Sequence, residues 1–283
     1  MKIAVVGLGL IGGSMALVLK QKGFASMVYG VDRKEDNARK ALELGIADEI
    51  TDLDQAVAKS DVIILSAPVS ACAILLPQVL DQVTHQIVLD TGSTKMSVLE
   101  AAKGHARRGR YIATHPMWGT EFSGPEAATN DAFEGRANVI CNATESDKDA
   151  LELAEKIYKL LGMYNVYMNG KDHDIHVAYV SHISHITSFA LANTVLEKER
   201  EENAIFELAS AGFESTVRLA KSSPAMWMPI FQQNKENVLD VLNEHITQLR
   251  KFKSCIEKEN WTYLSELMEN ANKIRNVLDR KGS

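Results

Sequence analysis

Cysteine is scarce in this chain. Cys72, Cys141 and Cys255 are odd in number and far apart, with no paired spacing. That speaks against a disulfide framework and fits buried or idle thiols in a reducing cytoplasm. Positive charge is also short. The 31 Lys and Arg stand against 37 Asp and Glu, for a net charge of −6 and a pI near 5.8. That balance argues against nucleic acid as a main partner. Beyond residue 19 no segment is long and apolar enough to cross a bilayer, so no membrane association is expected. There is no internal repeat, no low-complexity tract and no Pro/Ser-rich linker. What remains is ordinary globular composition, 46% apolar and 24% charged, over 283 residues, enough for two domains.

The N-terminal 32 residues are the most informative part. Lys2-Ile3-Ala4-Val5-Val6 is a short apolar strand, followed at once by Gly7-Leu8-Gly9-Leu10-Ile11-Gly12 and a helix-like run from Gly13 to Leu19. A second strand, Met27 to Val31, ends on Asp32, 20 residues after the third glycine. In a βαβ unit that binds a dinucleotide, Gly7 permits the tight turn, Gly9 lets the backbone approach a pyrophosphate, and Gly12 lets helix and strand pack closely. The helix N-terminus then offers free N–H groups to phosphate. Asp32 is placed for the adenine ribose hydroxyls, which favours NAD, while the adjacent Arg33 is a residue that can meet a 2′-phosphate. A signal peptide is a poorer reading of residues 3–19, because four glycines interrupt the run and no small-residue cleavage site follows.

Further strands are expected at 61–65, 86–90, 110–114, 137–141 and 165–168, with a helix over about 147–161. The alternation predicts a mostly parallel sheet covered on both faces. After Asn169 the strand signals stop. Helical patterns run over 172–197, 203–211 (ended by Gly212), 229–257 and 260–280. The expected architecture is therefore α/β: a Rossmann-like, mostly parallel sheet domain over 1–168, followed by an all-helical domain over 169–283. Helices this apolar on one side need a partner surface, and a homodimer through the helical domain supplies it.

Ligands of open α/β sheets bind beyond the carboxyl ends of the strands. That edge collects the glycine loop, Asp32, Ser66-Ala67-Pro68, Ser93 and His115. His115 is the candidate general base, since a histidine is readily neutral and accepting near neutral pH. The alternative is a structural histidine before the Pro116 turn. Ser93 follows Gly92 at a strand end and is either a site hydroxyl or the N-cap of a helix starting near Lys95. His182 and His185 lie one turn apart on the first helix of the second domain, after Ser181. With His173 and His176 upstream they raise zinc, but the HExxH pattern and nearby cysteine ligands are missing. No metal is expected. The remaining readings are core histidines or a substrate-facing pair. Arg218, after Gly212-Phe213-Glu214-Ser215-Thr216-Val217, is either solvated or a carboxylate clamp.

Taken together the motifs resemble the prephenate dehydrogenase family. His115-Pro116-Met117-Trp118-Gly119-Thr120-Glu121-Phe122-Ser123-Gly124 resembles its HPxxGTExSG signature, and Asp90-Thr91-Gly92-Ser93-Thr94-Lys95 its D-x-x-S-x-K segment. Ser181-His182-Ile183-Ser184-His185 is similar to the family's SHxPH helix, with Ser184 in place of proline. Gly212-Phe213 through Arg218 to Trp227 resembles its GF(x)₄R…PxxW segment.

The resemblance implies a Rossmann domain followed by a helical dimerisation domain, and NAD-dependent oxidative decarboxylation of prephenate to 4-hydroxyphenylpyruvate in tyrosine biosynthesis. It assigns proton removal from the C4 hydroxyl to His115, with Ser93 holding the hydroxyl or the histidine. Arg218 would grip a substrate carboxylate, while His182, His185 and Ser181 line the cavity. Thr120 and Glu121 would organise its mouth, and Trp227 would reach the cleft. The nearest rival is arogenate, with an amino group replacing the keto oxygen; His185 is expected to favour prephenate mildly. A β-hydroxyacid dehydrogenase would need a lysine on the first helix of the helical domain, where this chain has histidines and only Lys171 at the start. A non-catalytic NAD-binding protein is the reading from another class, and the presence of His115, Ser93 and Arg218 speaks against it.

Overall fold

Strand β1 (Lys2–Val6) lies inside an eight-stranded sheet in a computed structural model of the chain, which describes residues 1–202 and 205–278. The other strands are β2 (Met27–Val31), β3 (Glu49–Ile50), β4 (Val62–Leu65), β5 (Ile87–Asp90), β6 (Tyr111–Pro116), β7 (Ala137–Cys141) and β8 (Tyr164–Met168). Their order is β3-β2-β1-β4-β5-β6-β7-β8. Every neighbouring pair is parallel except β6 and β7, so the last two strands run against the first six. The central strands are Val/Ile-rich and buried along their length, as a sheet covered on both faces demands. Successive side chains alternate between two cores. Ile3, Val5, Val62, Ile64 and Leu89 pack on one face, and Ala4, Val6, Ile63, Leu65 and Val88 on the other.

Helices α1 (Leu10–Gln21), α2 (Glu35–Glu43), α3 (Leu53–Lys59), α4 (Val69–Gln82), α5 (Met96–Ala102) and α6 (Lys148–Leu160) alternate with the strands. One strand was not foreseen and one expectation is corrected. β3 has only two residues, too short to leave a periodic signal. β6 continues to Pro116, so His115 pairs with Val139 inside the strand instead of following it.

From Gly170 the described residues are helical or irregular, and the helices differ in detail from expectation. The run foreseen as one helix over 172–197 is α7 (Gly170–Val177), a wider π turn at Ala178–His182, and α8 (Ile183–Glu202). Of the segment 203–211, Asn203 and Ala204 lie outside the described residues, and Phe206–Leu208 forms a single 3₁₀ turn. Gly212 does not end a helix but sits in the first turn of α9 (Ala211–Val217), where helical φ and ψ cost a glycine only entropy. The run expected from Pro229 is two helices, α10 (Pro224–Gln233) and α11 (Lys235–Glu257), separated by Asn234. Pro224 occupies the first position of α10, which lacks an intrahelical N–H partner in any case. The last stretch is α12 (Trp261–Asn272) and α13 (Arg275–Leu278), while Asp279 and Arg280 fall outside the described residues. By internal packing the chain forms two compact units, Met1–Lys235 and Glu236–Ser283. The first therefore contains the whole sheet and the helices through α10. No described helix is long and apolar enough to cross a membrane.

Candidate active site

At the first strand end, Gly7 has φ +99° and its N–H donates to Val31 O at 2.8 Å. A Cβ there would strike the Ser66 carbonyl, and one on Gly12 would run into the Gly7 carbonyl. Gly9 differs: a Cβ at that position would meet nothing within 4 Å. Gly9 is also the N-cap of α1 and gives it no side-chain cap. The loop thus leaves an open approach in front of uncapped helix amides, which suits a phosphate. Asp32 Oδ2 accepts the Leu8 N–H at 3.0 Å, and its Oδ1 accepts the Lys34 N–H at 2.9 Å. Leu8 is committed to the fold, its side chain in the core and its amide on Asp32. Leu10 and Ile11 are half-buried, and Arg33 is exposed. Beside the glycine loop, Ser66 Oγ accepts from Thr91 Oγ1 at 3.0 Å, Ala67 is half-buried, and Pro68 is the N-cap of α4.

Further along the same edge, His115 meets His173 of α7, with Nδ1 and Nε2 2.9 Å apart. His173 Nδ1 is 2.8 Å from Asp174 Oδ1. The Asp174 carboxylate also accepts the backbone N–H groups of Lys95 at 2.8 Å and Met96 at 2.9 Å, so it caps α5 from a distant element. Ser93 is therefore not the cap of that helix: Lys95 holds the N-cap position and Asp174 supplies the oxygens. The half-exposed Ser93 makes no hydrogen bond among the described residues. Lys95 is fully buried, its ammonium bonded to Asp90 and to Thr114 O at 2.6 Å. Asp90 further accepts from Tyr111 OH at 2.7 Å, Gly92 N–H at 2.9 Å and Thr114 N–H at 3.2 Å. Burial first, then His173, the Lys95 ammonium and His182, hold the His115 pKa well below its ordinary 6.5. His115 is accordingly neutral.

The π turn carries His182 into the protein interior. Asn234 Nδ2 donates to Asp174 O at 2.7 Å and lies 3.2 Å from His182 Nδ1. Burial pushes His182 down to about 4. The buried Trp227 packs edge-on to His182 and almost face-on to His185, with ring centroids 5.8 and 3.6 Å apart. Its indole N–H is buried with no hydrogen-bond partner among the described residues. His185 Nδ1 is 3.0 Å from Ser181 O, an atom that only accepts, so Nδ1 carries the hydrogen. Burial, opposed by that bond and assisted by Arg218, lowers the His185 pKa. Arg218 donates to Glu121 at 3.0 Å and is half exposed. Thr120 Oγ1 accepts the Phe122 N–H at 3.3 Å. A pocket of about 650 Å³ opens beside this pair, lined in part by Glu121, Phe122, Ser123, Lys221 and Ser223.

One connected set of contacts thus joins His115, His173, Asp174, Asn234, His182, Trp227, His185 and Ser181. Glu121 and Arg218 form a second set, and the Arg218 charge acts on His185. Sequence reasoning gave no role to Asp90, Lys95, Asp174 or Asn234, and weighed His173 only as a metal ligand. Asp90 and Lys95 bound the very segment that contains Ser93, which was the available signal. Among the described residues no cluster of three or more His, Cys, Asp or Glu is placed to hold a metal ion.

A doubly covered, mostly parallel sheet with a glycine-bounded, uncapped helix at one strand end and a neutral histidine at another fits a dinucleotide-dependent oxidoreductase. Residues 15–167 match the family model of the prephenate dehydrogenase nucleotide-binding domain, and residues 169–270 match that of its dimerization domain. The chain belongs to the prephenate dehydrogenase family. It is 30% identical to prephenate dehydrogenase of Bacillus subtilis (strain 168) over 280 residues, 98% of this chain and 76% of that protein. The crystal structure of prephenate dehydrogenase from A. aeolicus in complex with hydroxyphenyl propionate and NAD+ has TM-score 0.89 and 30% identity, covering 98% of each chain. Synechocystis arogenate dehydrogenase superposes with TM-score 0.77 at 28% identity, covering 98% of this chain and all of that one (100%).

Proposed function

We propose that the chain oxidises prephenate with NAD and releases the ring carboxylate as carbon dioxide, giving 4-hydroxyphenylpyruvate for tyrosine biosynthesis. The observation that carries the reading is the neutral, half-buried His115 at the carboxyl edge of the sheet, braced by His173. The loop from Gly7 to Gly12 (Gly7, Leu8, Gly9, Leu10, Ile11, Gly12), with Asp32, Arg33 and Ser66-Ala67-Pro68, would hold the dinucleotide. The open approach at Gly9 supports this fit. A bound nicotinamide supplies the acceptor for the hydride from C4. His115 removes the C4 hydroxyl proton, and the unengaged Ser93 hydroxyl holds that oxygen in line. Arg218, half exposed and bonded to Glu121, is placed to grip a carboxylate. Ser181, His182, His185 and Trp227 line the ring site, with Thr120 and Glu121 at its mouth.

The division at 168/169 follows the end of β8 at Met168 and is proposed as the functional domain boundary. We assign the helical domain to a homodimer contact. Exposed Leu249, Ile256, Trp261, Met268 and Ile274 give its C-terminal helices an apolar surface. Three free, buried cysteines fit a reducing compartment such as the cytoplasm.

One observation favours arogenate as a second reading. With its hydrogen on Nδ1 and its pKa lowered, His185 presents Nε2 as an acceptor, which suits the ammonium of arogenate better than the keto oxygen of prephenate. The expectation that His185 favours prephenate therefore finds no support in its geometry. Initial rates of NADH formation with each substrate decide between them. A higher kcat/KM on prephenate supports the primary reading, and a higher value on arogenate replaces it with the second.

A further inference from the structure

We infer that His173 and Asp174 fix the tautomer of His115 and that His173 holds the substrate's hydroxyl proton between oxidation and aromatisation. The reaction class comes from the proposed function; the tautomer assignment does not depend on it.

The geometry sets the hydrogens one by one. Asp174 Oδ1 is a carboxylate oxygen that already receives the Lys95 N–H, so the 2.8 Å contact with His173 requires the hydrogen on His173 Nδ1. Neutral His173 then has its lone pair on Nε2. The 2.9 Å contact to His115 can form only if His115 Nδ1 is the donor. His115 Nε2 is left as the acceptor. A carboxylate orienting an imidazole is the arrangement that readies a base in hydrolytic triads, here with a second imidazole inserted. Asp174 is itself immobilised by the Met96 N–H on Oδ2 and by Asn234 on its carbonyl.

Proton balance gives His173 its second task. Oxidation removes a hydride from C4 and a proton from its hydroxyl. Breaking the bond between C1 and the carboxylate returns an electron pair to the ring and leaves a phenolate oxygen, which needs one proton. The proton taken in the first step is therefore the one needed in the last, and the protein must keep it meanwhile. His115 is a poor store. It is flanked by the Lys95 ammonium and by the uncharged His182, and burial opposes a charge there. Burial opposes a charge on the fully buried His173 too and holds its pKa below the ordinary 6.5, but Asp174 bonds it directly and Asp90 adds a second negative charge against the same Lys95, compensation that His115 lacks. When His115 Nε2 accepts the proton, its Nδ1 hydrogen passes to His173 Nε2. The imidazolium then lies against a carboxylate, and the reverse transfer delivers the proton to the phenolate oxygen. His173 touches no reacting atom in this scheme and acts through His115 as a positioning residue.

The test begins with nitrogen NMR of the full chain carrying labelled histidine, near neutral pH and without ligands. His115 should show a protonated Nδ1 and a bare Nε2. A protonated Nε2 with a bare Nδ1 would overturn the inference. Kinetics of His173→Gln follow, with thermal unfolding to verify the fold. Glutamine offers His115 an acceptor but holds no proton, so kcat should fall about 10²-fold, the scale of a lost acid–base partner, with KM changed less than about threefold. Near-normal kcat in a folded His173→Gln would overturn the proton-holding role. Failure of the unaltered chain to turn over prephenate or arogenate would instead remove the proposed function while leaving the NMR result standing.

Discussion

Replacing Lys95 by methionine tests the electrostatics beneath the site. Lys95 and Asp90 are both fully buried and form an ion pair, and the ammonium also bonds Thr114 O. Deleting one partner of a buried pair costs about 3–5 kcal/mol, because the other charge stays desolvated. Asp90 would keep three donors, Tyr111 OH, Gly92 N–H and Thr114 N–H, which places the loss near the lower end. For a domain of this size about 3 kcal/mol corresponds to a fall in Tm of roughly 6–12 °C. A second effect follows from the sign of the charge. Lys95 is one of the groups that hold the His115 pKa down. His115 works as the free base, so kcat/KM is constant above its pKa and falls as pH drops through it. Removing the cation moves that fall upward, toward the ordinary 6.5. Thermal unfolding and a pH profile of kcat/KM read the two effects separately. The double variant Asp90→Asn/Lys95→Met should recover much of the stability, since removing both partners leaves no orphaned charge. A Tm within about 2 °C of the parent, together with an unmoved acid limb, would refute the reasoning.

Three further outcomes follow. The parent's kcat/KM should stay level from about pH 8 to 6, because depressed His115 remains neutral there; a midpoint near the ordinary histidine value would contradict the burial and charge effects described. Gly9→Ala should keep the parent Tm, since its Cβ enters open space, yet weaken dinucleotide binding at least about tenfold by blocking the backbone approach, and unchanged affinity in a calorimetric titration would remove the phosphate assignment. Arg218→Ala should leave stability within about 1 kcal/mol, as expected of a half-exposed ion pair, and raise KM by roughly 10- to 100-fold for one lost charged hydrogen bond; a normal KM would mean another group holds the carboxylate.

The fold was readable where local chemistry and tertiary role coincide. The buried run of β1, the three spaced glycines and the acid ending β2 each have one structural solution, so the first βαβ unit was legible residue by residue. Strand ends also predicted which edge would gather Ser66, Ser93 and His115. Hidden were features decided by distant partners. His173 lies 58 residues from His115, and Asp174 is 79 residues from the Lys95 amide it caps, so no local pattern announces either bond. Ser93 looked like a cap because the true cap comes from another helix. The π turn at Ala178–His182 leaves an ordinary helical sequence pattern, and it changes which face His182 presents. Gly212 and Pro229 were read as helix boundaries, yet each is accommodated within a helix, one in a first turn and the other one turn after Pro224.

The central claim is that His115 is the base of an NAD-dependent oxidation of prephenate, and NADH formation by the parent and by His115→Asn tests it most directly. The parent should turn over prephenate with NAD, and the variant should lose about 10²- to 10⁴-fold in kcat with KM little changed. A His115→Asn chain that forms NADH at the parental rate would contradict the account.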